Sequence, residues 1–130
     1  MLVVTDTAEV DRAMKYMLLI AGAEDGWNHL SEADQAALYS RIEVWWGERK
    51  AAGELLEGAQ LQPSSTATTV RRSIGGDVTV TDGPFVEGKE IVGGYGIIDV
   101  PDLDAAIRLA SSWPAPDTLE IRPVASGEMG

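Results

Sequence analysis

The sequence predicts an α+β fold, a ferredoxin-like split βαβ domain with an inserted β-hairpin. Three observations predict it. Strand-like and helix-like patterns alternate as β-α-β, then a hairpin, then β-α-β. Each helical stretch opens on a residue able to cap it, Ser31 in the first and Asp102 in the second. Gly75-Gly76 stands between two Thr/Val-rich runs, which is a hairpin signal. With 130 residues, 45% of them hydrophobic and 24% charged, the chain has the size and make-up of one globular domain.

Residues 1–13 are acidic and weakly periodic, and are expected to form an extension outside the core; one reading makes Met14 the natural start. Lys15-Tyr16-Met17-Leu18-Leu19-Ile20-Ala21 then reads as a buried strand. Gly22 to Leu30 is a loop carrying Trp27, Asn28 and His29. Ser31-Glu32-Ala33-Asp34 resembles a capping box with Asp in place of Glu, so Ser31 is expected to accept from the amide of Asp34. Leu38, Ile42, Trp45 and Ala52 recur at helical spacing, and Gly53 stops the helix because glycine takes positive φ cheaply.

Leu55 to Leu61 reads as a second strand and Gln62 to Ser65 as a loop. Thr66 to Ile74 and Asp77 to Thr81 form the arms of a hairpin with a two-residue turn. Asp82-Gly83-Pro84 is the next turn. Ile91 to Val100 is a strand interrupted by Gly93, Gly94 and Gly96, and interior glycines mark a bulge or a close backbone approach. Pro101-Asp102 opens the second helix, with Leu103, Ala106, Ile107 and Ala110 on one face, and Trp113-Pro114 ends it. Thr118 to Val124 is the last strand of a domain spanning residues 14–124, and 125–130 form a tail. Two helices cover one sheet face. Nothing in the chain covers the other, which predicts a homodimer packed sheet to sheet as a dimeric α+β barrel.

Charge and composition exclude several functions. Asp+Glu total 21 against 10 Lys+Arg, a net charge of −11. Nucleic-acid binding depends on clustered Lys and Arg neutralising phosphates. The lysines here are the scattered Lys15, Lys50 and Lys89, and Arg71-Arg72 is a lone arginine pair. Neither nucleic acid nor an anionic membrane is an expected partner. There is no Cys, which removes disulfides, thiolate metal sites and cysteine nucleophiles. The longest apolar run is far shorter than the ~20 residues that span a bilayer. With no basic segment ahead of an apolar one, the expected location is cytoplasmic.

The stretch Val80-Thr81-Asp82-Gly83-Pro84-Phe85-Val86-Glu87-Gly88-Lys89-Glu90 resembles the signature of the DGPF-domain branch of the YCII-related family. Gly58-Ala59-Gln60-Leu61-Gln62-Pro63-Ser64 and Ala67-Thr68-Thr69-Val70-Arg71 support it upstream. Gly93-Gly94-Tyr95, Ile98-Asp99-Val100 and Glu120-Ile121-Arg122-Pro123-Val124 support it downstream, so the resemblance covers Met14 to about Val124. It implies a dimeric α+β barrel and little about activity. Some relatives are associated with sigma factors. A distant YCII-like relative is a dehydrochlorinase that uses a His–Asp pair. This chain departs from that pattern, with no His between Ser31 and Ala52 and with Trp113-Pro114 where those relatives carry Asp-Pro.

The candidate catalytic residues are Asp82 as a base or ligand anchor, with Lys89 and Glu90 to orient a polar substrate or tune Asp82. The competing reading of Asp82 is structural: an Asx turn in which its carboxylate bonds backbone amides of the turn. Tyr16, Tyr95 and His29 are the candidate ligand-binding residues, the two tyrosines facing the inside of the barrel. Trp45 and Trp46 are adjacent and so cannot share a helix face; one is expected on the sheet and the other at an edge, interface or pocket rim. His29 is the sole histidine, and no carboxylate cluster has metal-ligand spacing, so neither metal nor cofactor is expected. Gly83 to Glu90 has the spacing of a phosphate loop but ends in Glu, and a strand follows it. Gly93-Gly94-Tyr95-Gly96 leads into no helix, which removes the dinucleotide reading. Two function classes remain. One is a small-molecule enzyme or binding protein working by proton transfer, elimination or isomerisation, with its pocket between sheet and helices. The other is a noncatalytic regulatory or interaction module, acting with a sigma factor as the resemblance implies.

Overall fold

A computed structural model describes residues 14–85 and 88–125. The elements run β1 (Lys15–Gly22), α1 (Glu32–Ala51), β2 (Leu55–Gln60), β3 (Thr68–Arg72), β4 (Val78–Asp82), β5 (Ile91–Asp99), α2 (Leu103–Ser111) and β6 (Thr118–Pro123). A short 3₁₀ turn, Ser64–Thr66, interrupts the loop after β2. Residues 1–13, read above as an extension, lie outside the described residues, as do 126–130 of the tail.

Four strands form one antiparallel sheet in the order β2-β5-β1-β6. The two β-α-β units therefore interleave, each crossover skipping one strand, as the split βαβ pattern requires. β3 and β4 pair only with each other, as a separate two-stranded sheet.

The helix ends show why the chain folds locally as it does. Ser31 Oγ accepts from the amide of Asp34 at 3.0 Å. Glu32 and Asp34 sit in the first turn and Arg49 and Lys50 in the last, matching the helix dipole at both ends. Gly53 has φ +78. Its amide donates to the Lys50 carbonyl, and the Glu54 amide reaches back to Arg49, both at 3.0 Å, which is a Schellman closure. Asp102 caps α2 by accepting from Ala105 N at 2.9 Å.

The core lies between the two helices and one sheet face. Tyr16, Leu18, Leu55 and Ile98 from the strands meet Trp45 of α1 and Ala106 and Leu109 of α2. The face of α2 differs from expectation. Ala106 and Leu109 are buried, whereas Leu103 and Ile107 are exposed. The small Ala106 lets the helix come close to the sheet, and Leu109 follows it three residues on, which rotates Leu103 and Ile107 outward. Ala52, placed on the apolar face of α1 by spacing, is the exposed C-cap.

The hairpin turn is longer than the sequence suggested. Ser73 N donates to Asp77 O, and Gly76 N to Ser73 O, at 2.8 and 3.0 Å. Ile74-Gly75-Gly76 is thus a three-residue loop, with Gly76 at φ +99 supplying the left-handed residue. One hairpin face carries Val70, Val78 and Val80, all exposed in a single chain.

The glycines of β5 do both things expected of them. The β1–β5 register slips between Ile20 and Ala21, because Gly93 has no partner there. Gly96 on β5 and Gly58 on β2 face each other, and Trp46 lies over both. A Cβ on Gly58 would stand 2.5 Å from the Trp46 ring, so only glycine leaves the indole its place on the sheet.

Candidate functional site

A cleft of about 740 Å³ opens between α1 and the sheet. Its floor is the end of β1 and the start of β5, with Ile20, Gly22, Ile91 and Gly94. One wall is α1, through Gln35, Tyr39, Ile42 and Trp46. The loop after β1 supplies Glu24 and Trp27, the end of β2 supplies Gln60, and the connection from α2 to β6 supplies Trp113 and Asp117.

The aromatic lining is ordered by edge contacts. Trp27 and Tyr39 meet edge to face with centroids 4.9 Å apart and planes at 67°. Trp45, Trp46 and Trp113 form a mutually perpendicular trio, with centroids at 5.4, 5.0 and 5.9 Å. Such geometry sets the positive edge of one ring against the negative face of the next. The adjacent pair on α1 divides as the spacing requires: Trp45 is core, and Trp46 lies on the sheet at the cleft wall.

Two carboxylates enter the same space. Asp117 Oδ2 accepts from Trp113 Nε1 at 2.9 Å, which fixes the orientation of the group. Its other oxygen lies over Gly22, where a Cβ would collide with it. An oriented carboxylate with one oxygen uncommitted among the described residues can accept a ligand hydrogen or a proton. Glu24 accepts from the Ser64 hydroxyl at 2.6 Å and from the Ser64 amide at 2.5 Å. This bond joins the loops after β1 and β2 across the end of the cleft. Gln35 Nε2 anchors the first of these loops by donating to the carbonyls of Trp27 and Leu30 at 2.9 and 3.2 Å.

The Ser64 hydroxyl, and then its amide, hold the Glu24 carboxyl below its ordinary range. A lowered folded-state value means that the ionised form is the one the contact favours. The clasp is therefore expected to be complete near neutral pH and to open as pH falls through the lowered value. The Ser64 amide resonance followed from pH 7 to pH 3 checks this. It should titrate in the parent and stay flat in Glu24→Gln.

The residues singled out from the sequence do not assemble. Asp82 ends β4 and is exposed, and among the described residues its carboxylate bonds no amide. The turn after it rests on Gly83, at φ +101, whose amide donates to Ala67 O at 2.8 Å. Lys89 is exposed and pairs with neither Asp82 nor Glu90 among the described residues. Glu90 accepts from Thr118 Oγ1 at 2.7 Å, beside Asp117 at the end of the sheet. His29 is exposed in the loop before α1. The two tyrosines lie on opposite faces, which corrects the expectation that both face one interior. Tyr16 is 2% exposed under the helices, while Tyr95, paired with Leu19, is on the open face. Strand alternation separates them, since Tyr16 pairs with Ile98 of the covered row.

The YCII-related domain model matches residues 14–126, nearly the whole described chain. The chain belongs to the YCII-related family. A curated relative, Uncharacterized protein R00369 of Rhizobium meliloti (strain 1021), is 40% identical over 78 residues. That match covers 57% of this chain and 62% of the relative's own length, so it spans less than two thirds of it. Among the described residues of this YCII-related chain, no group of three or more carboxylate or imidazole side chains stands ready to hold a metal. No described helix is long and apolar enough to cross a membrane.

Proposed function

We propose that this YCII-related protein, of the DGPF branch, works as a homodimer that binds a small molecule in the cleft between α1 and the sheet. The chemistry that suits the site is proton transfer, in an isomerisation or elimination, with the oriented Asp117 as acceptor. The observation that carries this reading is the cleft itself. Its volume lies within the ~300–1,000 Å³ of small-molecule sites, and an apolar, aromatic lining with a few fixed polar groups is their usual composition. Asp82 and Lys89 are outside that lining, and Glu90 stands next to it through Thr118. The dimer is supported by Met17, Leu19, Tyr95 and Ile97, which pair across β1 and β5 on the face turned away from the helices.

A second reading, an interaction module, is favoured by one observation: the bare valine face of the hairpin, Val70, Val78 and Val80. A thermal-shift screen of small molecules separates the two. A ligand at a hundred times its Kd stabilises by about 2.7 kcal/mol, a shift of several degrees. Compounds that raise Tm in the parent should lose that shift in Tyr39→Ala, which removes a half-exposed cleft side chain and leaves the core intact. Hits that are indifferent to Tyr39→Ala, or no hits from a broad library, would favour the interaction module.

A further inference from the structure

We infer that the cleft takes an organic cation, a protonated or quaternary amine carried on an apolar body. The inference rests on the cleft being a ligand site and adds the charge class of the ligand. Three observations point the same way. Trp27, Tyr39, Trp46 and Trp113 line the space, and indole and phenol faces attract cations through their quadrupoles. Glu24 and Asp117 are the charged side chains of the lining, and no Lys, Arg or His is among the described residues that form it. The whole chain carries a net charge of −11, which draws cations toward it and repels phosphates and carboxylates.

The carboxylates are held rather than loose. Trp113 Nε1 fixes Asp117 through one oxygen, and Ser64 fixes Glu24 through two bonds. Neither carboxylate is paired with a basic side chain among the described residues. Their negative charge is thus left for the ligand. A neutral aromatic compound would use the rings and leave this charge unanswered. An anion would meet both carboxylates without a counter-charge.

The test uses three soluble aromatic probes on the full chain: benzyltrimethylammonium, benzyl alcohol and benzoate. Binding is read by tryptophan fluorescence and by calorimetry. The ammonium is expected to bind about tenfold tighter than the alcohol, and benzoate weakest. Asp117→Asn keeps the shape of the side chain and removes its charge, so it should remove most of the ammonium's advantage over the alcohol. Equal binding of ammonium and alcohol, or a preference for benzoate, overturns the cation assignment and leaves the cleft as a ligand site. If none of the three binds while screened compounds still act through Tyr39, the cation assignment falls alone. If nothing binds through Tyr39 either, both readings fall.

Discussion

Replacing Trp45 by alanine is expected to lower the unfolding free energy by about 3–5 kcal/mol, a large part of the ~5–15 kcal/mol that holds a domain folded. The residue is 5% exposed and touches more of the fold than its position on one helix suggests. Its ring stands edge to face against Trp46 and Trp113. Its Nε1 donates to Ser112 Oγ at 2.8 Å, tying α1 to the end of α2. The same Ser112 hydroxyl donates on to Leu109 O at 2.6 Å, so the indole also supports the last turn of α2. Alanine leaves a cavity between two helices and removes the packing that sets Trp113. Because Trp113 orients Asp117, the variant is also expected to lose cleft binding. Trp45→Phe keeps most of the ring and should cost far less, with the lost hydrogen bond worth about 0.5–1.5 kcal/mol. Urea unfolding followed by far-UV circular dichroism measures both. A loss below 1 kcal/mol for the alanine variant contradicts the place given to Trp45 in the core.

Placing Asp at both Leu19 and Ile97 is expected to dissociate the proposed dimer without unfolding the chain. Both residues lie on the open face of the sheet, opposite the row of Tyr16, Leu18 and Ile98 that packs under the helices. Leu19 pairs with Tyr95 on one side and with Glu120 on the other, so an aspartate there also meets like charge. A sheet-to-sheet dimer would bury four new carboxylates, two from each copy, without counter-ions. Unpaired buried charge costs several kcal/mol, so the dissociation constant should rise about a thousandfold or more. Sedimentation velocity at micromolar concentration gives the result directly. The parent should run as a dimer and the double variant as a monomer, with the same far-UV spectrum. A monomeric parent would overturn the dimer, and a variant that stays dimeric would place the interface elsewhere, with the valine face of the hairpin as the next surface to examine.

Local features of the fold were legible in the sequence because they depend on residues a few positions apart. Ser31 and Asp102 cap their helices as expected, since each cap needs only an amide three residues on. The strand order follows from the split β-α-β pattern, which leaves little choice once the elements are placed. The hairpin turn was misjudged by one residue, because Gly75-Gly76 suits a two-residue turn as well as a three-residue one. The face of α2 was misjudged for a different reason. Spacing shows which residues share a face but not how the helix is turned on the sheet, where Leu109 rather than Leu103 or Ile107 is buried beside Ala106.

The candidate site was the least legible part. Asp82, Lys89 and Glu90 stand out in the sequence because they sit in its most distinctive string. That string's described residues end β4 and turn on Gly83. The cleft draws Glu24, Trp46, Gln60 and Asp117 from four separate segments. One local signal was available, the four-residue spacing of Trp113 and Asp117, which allows the indole to hold the carboxylate. Another was the pair Gly58 and Gly96, whose missing side chains make room for Trp46.

By itself the sequence determined the α+β class, the element order, the helix caps and the strongly acidic charge balance. Each of these is set by composition, or by contacts within a turn or two of chain. Only the tertiary structure decided which tryptophans face a cavity, that Tyr16 and Tyr95 stand on opposite faces, and that Asp117 and Glu24 are carboxylates held in place. Those facts depend on strand register and on the rotation of each helix over the sheet, and both are fixed when distant side chains pack together.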